Sequence, residues 1–268
     1  NKEINIIQDT HSDSGHRILG VCAAGSTGIK MGMNDAGVVT ASNIGRTTEL
    51  KNKKVDLTSL RAIDRAQIMR DGLEFDNAHE AADKTLSDLM GNPMSTPGNV
   101  EFLDKKECFI IEGSYTQFAV EIVRGDQVAS RANHFRLLDQ LNDPEDIAGH
   151  KRYLRCMELL EQNYGDISRE KMIEFSMDHS NGPGPNSICR YGETPEEETS
   201  LAAMVMEINP ENPKKSVASI CLGKPSYAWR DPAGNLTITM DSPASAIPEE
   251  FFSGATWKQF YSEKPYAA

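Results

Sequence analysis

Two short clusters of polar residues are the candidates for chemistry in this sequence. In the first, Asn133 and His134 follow the strand-like run 128–130, where a predicted strand gives way to a loop. A rigid strand end can present side chains to a cleft, and an Asn amide placed there can donate a hydrogen bond to a developing oxyanion. An Asn or His that only caps a turn remains an alternative for this cluster.

The second cluster surrounds Arg190, just after the Gly- and Pro-rich loop at 181–186. Cys189 and Tyr191 flank the arginine. A guanidinium in this setting could bind a carboxylate or stabilise the negative charge of a nucleophile. A surface arginine without a catalytic role is the alternative.

Several common catalytic signatures are absent. The six histidines form no His-Glu-x-x-His pair and no close Cys-His cluster, and no Gly-x-Ser-x-Gly motif occurs. The glycines between positions 25 and 37 have strands on both sides, which argues against a dinucleotide-binding loop. The sequence therefore predicts neither a metal site nor a cofactor site, and a metal-dependent hydrolase with ligands from distant residues is a third alternative.

Composition excludes some classes of partner. The 268 residues carry 28 Lys+Arg against 40 Asp+Glu, a formal net charge of −12. This charge argues against nucleic acid as a partner, and no apolar run approaches the length needed to cross a bilayer. The five widely spaced cysteines suggest reduced thiols. With no signal-peptide pattern at residues 1–8, they favour a cytoplasmic location.

The order of the predicted elements indicates the fold class. Strand-like runs begin at 4–7 and continue through a hairpin whose turn is 34–37. Apolar residues at helical spacing predict a helix that includes Ile63 and ends at Gly72, and a second helix from Asn77 to Gly91, with Glu80 completing a capping box. Strands are expected at 108–111, 118–123 and 128–130.

A second helical block and a third set of strands complete the pattern. Helices are expected after the Asp-Pro-Glu start at 143–145, with Tyr153, Met157 and Leu160 buried, and over 168–177. Strands are expected at 202–208, 216–222 and 236–240. Segregated blocks of this kind predict an α+β fold with mostly antiparallel sheets, in one domain over residues 1–268.

Four motifs together resemble those of the acyl-coenzyme A:6-aminopenicillanic-acid acyltransferase family, the isopenicillin-N acyltransferase-like amide hydrolases. They are the runs 28–38, 132–135, 187–190 and 222–225, in matching order and approximate spacing over residues 2–225. Bile-salt hydrolases and penicillin V acylases are more distant relatives of similar layout. The resemblance implies a four-layer αββα fold of N-terminal-nucleophile hydrolases.

The resemblance also implies an activity: cleavage or acyl transfer at a linear amide bond of a small molecule. In that chemistry a cysteine freed by self-cleavage of a precursor forms the acyl-enzyme, and its α-amine carries the proton. Carried over by position, Asn133 resembles the side-chain donor of the oxyanion hole. The backbone N–H of Ile44, ten residues after Asn34, resembles the second donor, and Arg190 resembles the arginine that supports the nucleophile.

The sequence departs from the family at its start. The family's nucleophilic Cys and a nearby Asp precede the position of Asn1, and none of the five cysteines occupies that place. Three explanations remain open: a missing first segment, a separate short segment that completes the domain, or a non-catalytic relative that binds small molecules. We favour the first, because Asn1 lies just before a strand-like run.

Overall fold

Seven strands form a large antiparallel sheet in the computed structural model, which describes residues 5–51, 55, 61–182, 184–190 and 198–243. Each strand pairs with the next in chain order, so neighbours in sequence are neighbours in space. The strands are β1 (Asn5–His11), β2 (Arg17–Ala23), β3 (Met31–Asn34), β4 (Val39–Ile44), β5 (Gly98–Leu103), β6 (Glu107–Gly113) and β7 (Phe118–Arg124).

A smaller antiparallel sheet comes from the last third of the chain. It has the order β10-β9-β8, with β8 at Ala202–Glu207, β9 at Val217–Leu222 and β10 at Asn235–Thr239. The strands β8 and β9 pair in full register from Ala202 opposite Leu222 to Glu207 opposite Val217.

Five α-helices are described: α1 (Arg65–Gly72), α2 (Ala78–Gly91), α3 (Ile147–Gln162), α4 (Arg169–Ser176) and the single-turn α5 (Pro225–Ala228). Side-chain caps start three of them. Asp64 accepts hydrogen bonds from the first turn of α1, Asn77 from that of α2 and Ser168 from that of α4.

The large sheet has a core on each face. One face packs against α1 and α2 through residues such as Ile18, Val100, Phe102 and Ile111. Alternate residues of β2 to β4 point to the other face and pack against the smaller sheet, whose outer face contacts α4 and α5. The layers are therefore helix, sheet, sheet and helix, which confirms the α+β fold with two antiparallel sheets.

The structure differs from the local predictions in four places. Ile63 is not helical: it bridges to Met94, and α1 begins only after the Asp64 cap. The run 128–130 is not a strand. Strand β5 was not predicted, and Tyr153 and Met157 are only half-buried beside the buried Leu160. The aromatic tail after residue 243 lies outside the described residues.

The predicted hairpin at 34–37 is confirmed. Gly37 has a φ of 89°, in the left-handed region that favours glycine. The adjoining Asn34 is buried and its Oδ1 accepts the N–H groups of Ala36 and Val38 (3.1 and 2.8 Å), which closes the turn. Across the described ranges, no helix has the length and apolar character of a membrane span.

Candidate active site

The predicted site residue Asn133 lies at the open end of β4. Its Nδ2 donates a 2.8 Å hydrogen bond to the carbonyl oxygen of Ile44, the last residue of that strand. An amide nitrogen carries two hydrogens. The second hydrogen has no partner among the residues that the structure describes, so it remains for a ligand. The structure thus brings together Asn133 and Ile44, which are 89 residues apart.

A buried asparagine joins the two chain segments that meet at this point. The side chain of Asn99 accepts hydrogen bonds from the backbone N–H and the Nδ2 of Asn43 (3.2 and 3.3 Å). Its own Nδ2 donates to the carbonyl oxygen of Ala132 (3.2 Å). Asn43 and Ala132 directly precede Ile44 and Asn133 in the sequence. One fully buried amide therefore sets the separation of both predicted oxyanion donors.

Glu112 fixes the loop that carries Asn133. This carboxylate, at 0% exposure, accepts hydrogen bonds from the backbone N–H groups of Arg136, Leu137 and Leu138, between 2.8 and 3.2 Å. It also pairs with Arg131 at 3.1 Å. A buried charge persists only when paired and hydrogen-bonded, and the loop supplies both kinds of partner. Glu112 thereby holds the loop on both sides of Asn133.

Gly98 explains how two backbone segments come so close beside the site. It pairs with Ile44 in the β4–β5 register. A Cβ at position 98 would lie 2.0 Å from the carbonyl oxygen of Asn43, so no other residue fits without backbone movement. Arg65 of α1 donates to that same carbonyl (3.2 Å) and to the carbonyl of Pro97 (3.0 Å). Burial lowers the pKa of Arg65.

Arg152 of α3 contacts the other side of the Asn133 amide. Its Nη2 donates to Asn133 Oδ1, and its Nη1 donates to the carbonyl oxygen of Pro185. The side chain belongs to a residue only 9% exposed. Burial lowers its pKa to about 10, with the nearby charge of Arg190 acting in the same direction.

Two further arginines and two acids lie near Arg152. Glu198 lies between Arg46 and Arg190: its Oε1 is 3.2 Å from Arg46 Nη2, and its Oε2 pairs with Arg190 Nη1. Arg46 also pairs with Asp146 at 3.3 Å. Its backbone N–H donates to the carbonyl oxygen of Asn133 (3.3 Å). The site is thus surrounded by three guanidinium groups and two carboxylates, an arrangement that favours negative charge on a ligand.

The histidine beside Asn133 is unsuited to proton transfer near neutral pH. His134 is buried, and its two ring nitrogens have no hydrogen-bond partner in the described part of the chain. Its ring packs edge-on against His150 and Tyr153. Burial lowers the pKa of His134 to about 4, so the ring stays neutral. Within the described ranges, no three His, Cys, Asp or Glu side chains are grouped so as to hold a metal ion.

The three predicted site residues lie in one region of the structure, together with residues that the sequence analysis did not identify. Asn133 and Ile44 are hydrogen-bonded, and Arg190 belongs to the charged cluster around them. Sequence reasoning missed Asn99, Glu112 and Arg152. The sequence does contain a signal for two of them. Glu112 is an acid directly after the apolar strand run 108–111, and Arg152 lies on the same buried helix face as Gly149 and Leu160.

Several solved structures are similar to this chain at low identity. The N-acylethanolamine-hydrolyzing acid amidase ortholog of Caenorhabditis elegans is 14% identical, with 83% of this chain and 81% of that chain covered and a TM-score of 0.44. Two variants of the conjugated bile acid hydrolase of Clostridium perfringens are each 14% identical. They cover 88% of this chain and 84% and 83% of theirs, with TM-scores of 0.43 and 0.46.

The family assignment rests on the sequence. No curated protein matches the chain. A model of the family described as "Acyl-coenzyme A:6-aminopenicillanic acid acyl-transferase" matches residues 4–227 of the 268. The matched region includes all ten strands except β10 and all of the site described above. The match, with the four-layer fold, indicates an amide hydrolase or acyltransferase of the N-terminal-nucleophile class. The chain belongs to the acyl-coenzyme A:6-aminopenicillanic acid acyl-transferase family.

Proposed function

We propose that the protein cleaves linear carbon–nitrogen amide bonds of small molecules, or transfers their acyl group, through a cysteine acyl-enzyme. The observation that carries the proposal is the Asn133 amide, held against the end of β4 with one N–H left for a ligand. A preorganised amide donor of this kind stabilises the oxyanion of a tetrahedral intermediate. In this proposal, the Ile44 N–H is the second donor.

The reaction proceeds in two stages. The thiol proton of the nucleophilic cysteine passes to its own α-amine, and the thiolate sulfur attacks the amide carbonyl carbon. A C–S bond forms, and the carbonyl oxygen becomes an oxyanion beside Asn133. Collapse of this intermediate breaks the C–N bond, and the leaving amine takes the proton. Water then hydrolyses the thioester, or a second amine accepts the acyl group.

The nucleophile in this proposal is a cysteine that precedes Asn1 in a precursor and is freed by self-cleavage. Cysteines within the chain are poor candidates. All five are unpaired. Burial raises the pKa of Cys108 and Cys221 to about 12 and also raises that of Cys22 and Cys156, which keeps these thiols protonated. Cys189 is fully buried.

Arg190 is assigned to the support of the thiolate. Its backbone is fixed by two hydrogen bonds with Ser200, each 2.9 Å long, and its side chain remains partly exposed beside Glu198. A guanidinium stays protonated at all relevant pH values and therefore stabilises a thiolate without competing for its proton. The three arginines of the cluster also favour an amide substrate without positive charge near the scissile bond.

The experiment uses the protein made from its complete reading frame, with fluorogenic aminocoumarin amides of graded acyl length as probes. We expect turnover that ends when the cysteine that begins the mature chain is changed to Ala. Asn133→Ala should lower kcat by about 10² to 10³-fold, the range measured for loss of an oxyanion donor. Glu158→Gln, on an exposed part of α3, serves as the control that keeps activity.

Two results would overturn the proposal. Turnover that survives removal of the N-terminal cysteine would refute the acyl-enzyme mechanism. A natural chain without such a cysteine, which binds the amides and never cleaves them, would establish the alternative, a small-molecule binding protein that retains the fold. In that case Asn133→Ala would change affinity alone.

A further inference from the structure

The orientation of the Asn133 amide is set by two partners on opposite sides. Nδ2 donates to the carbonyl oxygen of Ile44, and Oδ1 accepts from Arg152. A carbonyl oxygen only accepts and a guanidinium only donates. Rotating the amide by 180° would place oxygen against oxygen and donor against donor. Only one of the two amide orientations therefore satisfies both partners.

Helix α3 lies close enough for this contact because of a glycine. A Cβ at Gly149 would be 3.2 Å from the backbone carbonyl carbon of Asn133 and 3.4 Å from the N atom of His134. Gly149 is three residues before Arg152, so both lie on the same helix face. The glycine lets the helix pack on the Asn133 backbone, and the arginine then reaches the side chain.

The same guanidinium fixes a second part of the site. Its Nη1 donates to the carbonyl oxygen of Pro185, in the loop that leads to Arg190. Arg152 thus joins Asn133 to the loop that carries the predicted thiolate-supporting residue. Both hydrogen bonds come from one planar guanidinium group, so Asn133 and Pro185 are held at a fixed separation.

We propose that Arg152 is a positioning residue for the oxyanion hole: it holds the Asn133 amide with Nδ2 toward the reacting carbonyl and ties the 184–190 loop to the same point. The charge on the guanidinium also polarises the amide, which strengthens Nδ2 as a donor. The expected effect of Arg152 on kcat rests on the proposed function. Its effect on the orientation of the Asn133 amide does not depend on that function.

The kinetic test is a double-mutant cycle on the full-length enzyme with the best aminocoumarin amide. Arg152→Met should lower kcat by roughly tenfold to hundredfold, with KM within about twofold, less than the outright loss of an oxyanion donor. Arg152→Lys, which retains a charge and one donor, should recover part of the loss. In an Asn133→Ala background, Arg152→Met should cost less than threefold, because its action passes through Asn133.

A matched control separates positioning from general stability. Arg155, on the same helix, forms an ion pair with Asp178 at 2.8 Å and does not contact Asn133. Arg155→Met should keep kcat within about twofold. Losses from Arg152→Met and Asn133→Ala that simply multiply in the double variant would overturn the inference, as would equal losses from Arg155→Met.

A second readout holds even if the enzyme proposal fails. The side-chain NH₂ of Asn133 can be assigned in ¹⁵N–¹H spectra by its disappearance in Asn133→Ala. Arg152→Met should move these two signals and speed their exchange with solvent, while Arg155→Met should leave them in place. Unchanged Asn133 signals in Arg152→Met would refute the positioning role, whatever the protein's activity.

Discussion

The two faces of β5 and β6 differ in polarity. On the face toward α1 and α2, Val100, Phe102, Phe109 and Ile111 pack in the apolar core. On the reverse face, the polar or charged side chains of Asn99, Glu101 and Glu112 lie among apolar ones such as the buried Ile110. The two faces share the same strands and differ only in which alternate residues they use.

This difference separates what stabilises the fold from what shapes the site. Apolar packing is non-directional and gains free energy from the area that it buries. Buried polar groups are costly to desolvate, but their hydrogen bonds specify positions. Asn99 holds the segments that carry Ile44 and Asn133, and Glu112 holds the loop around Asn133. We therefore assign the apolar face to stability and the polar face to site geometry.

The largest expected effect is on the apolar face. Phe102 is fully buried and packs so closely against α1 that a Cβ at Gly72 would lie 2.1 Å from its ring. Phe102→Ala should lower the free energy of unfolding by about 3–5 kcal/mol, as measured by urea denaturation. The kcat of the molecules that remain folded at low temperature should stay within about threefold.

Phe118→Ala is the matched control for that change. Phe118 lies at the start of the edge strand β7 and is 37% exposed, so its loss should cost under about 1 kcal/mol. The assignment of the apolar face to stability would be wrong if the two phenylalanine variants lost equal stability. It would also be wrong if the kcat of Phe102→Ala were as low as that of Asn133→Ala.

Glu112→Gln should affect both stability and activity. The change leaves Arg131, with a side chain 5% exposed, without its buried counter-ion. Removing one partner of a buried pair costs about 3 kcal/mol or more, and the loop that carries Asn133 loses its charged anchor. We expect a lower urea midpoint together with a reduced kcat, whereas Phe102→Ala should lower only the urea midpoint.

Glu121→Gln provides the comparison within the same ion-pair network. Glu121 also pairs with Arg131, but its side chain is 41% exposed. Because solvent reaches the Glu121 carboxylate and screens the pair, we expect it to contribute about 0–1 kcal/mol. The account predicts a small effect on stability and none on kcat. It would be contradicted if the two glutamate variants behaved alike.

A further prediction concerns the pH dependence of stability. Burial raises the pKa of Glu101 from 4.5 to about 8, and its two carboxyl oxygens have no hydrogen-bond partner in the described residues. Between these values the folded protein keeps a proton that the unfolded chain releases, so stability falls as pH rises. Relative to Glu101→Gln, the natural protein should lose roughly 1 kcal/mol per pH unit from pH 5 to 8.

Urea denaturation of both proteins at pH 5.5, 6.5 and 7.5 checks this prediction. The difference in the free energy of unfolding between Glu101→Gln and the natural protein should widen steadily with pH, and Glu121→Gln should show no such trend. Parallel stability curves would mean that Glu101 is not held neutral by its surroundings.

The same contrast explains what could be predicted from the sequence. Local signals act over a few residues: the Asn77 cap of α2 and the turn at Gly37 were predicted and are present. Strand β5 was not predicted because Gly98, Asn99 and Glu101 interrupt its apolar pattern. Of these, Gly98 and Asn99 contact the backbone segments that carry the site.

The contacts that complete the site join distant parts of the chain. Arg152 is 19 residues from Asn133, and Asn99 is 56 residues from Asn43. A single buried arginine or asparagine is not part of a periodic pattern, so the sequence does not indicate which residue it contacts. The resemblance to a family supplied Asn133, Ile44 and Arg190 by position, whereas the residues that hold them needed the three-dimensional arrangement.

The proposed acyl-enzyme is tested directly by the mass of the acid-quenched enzyme. The protein made from its complete reading frame is mixed with an aminocoumarin amide, quenched within milliseconds to seconds, and digested to locate the acyl group. The account predicts one acyl group per chain, on the sulfur of an N-terminal cysteine, and at least tenfold slower accumulation in Asn133→Ala. An acyl group on Cys108 or another internal cysteine, or turnover without any adduct and unaffected by Asn133→Ala, would contradict it.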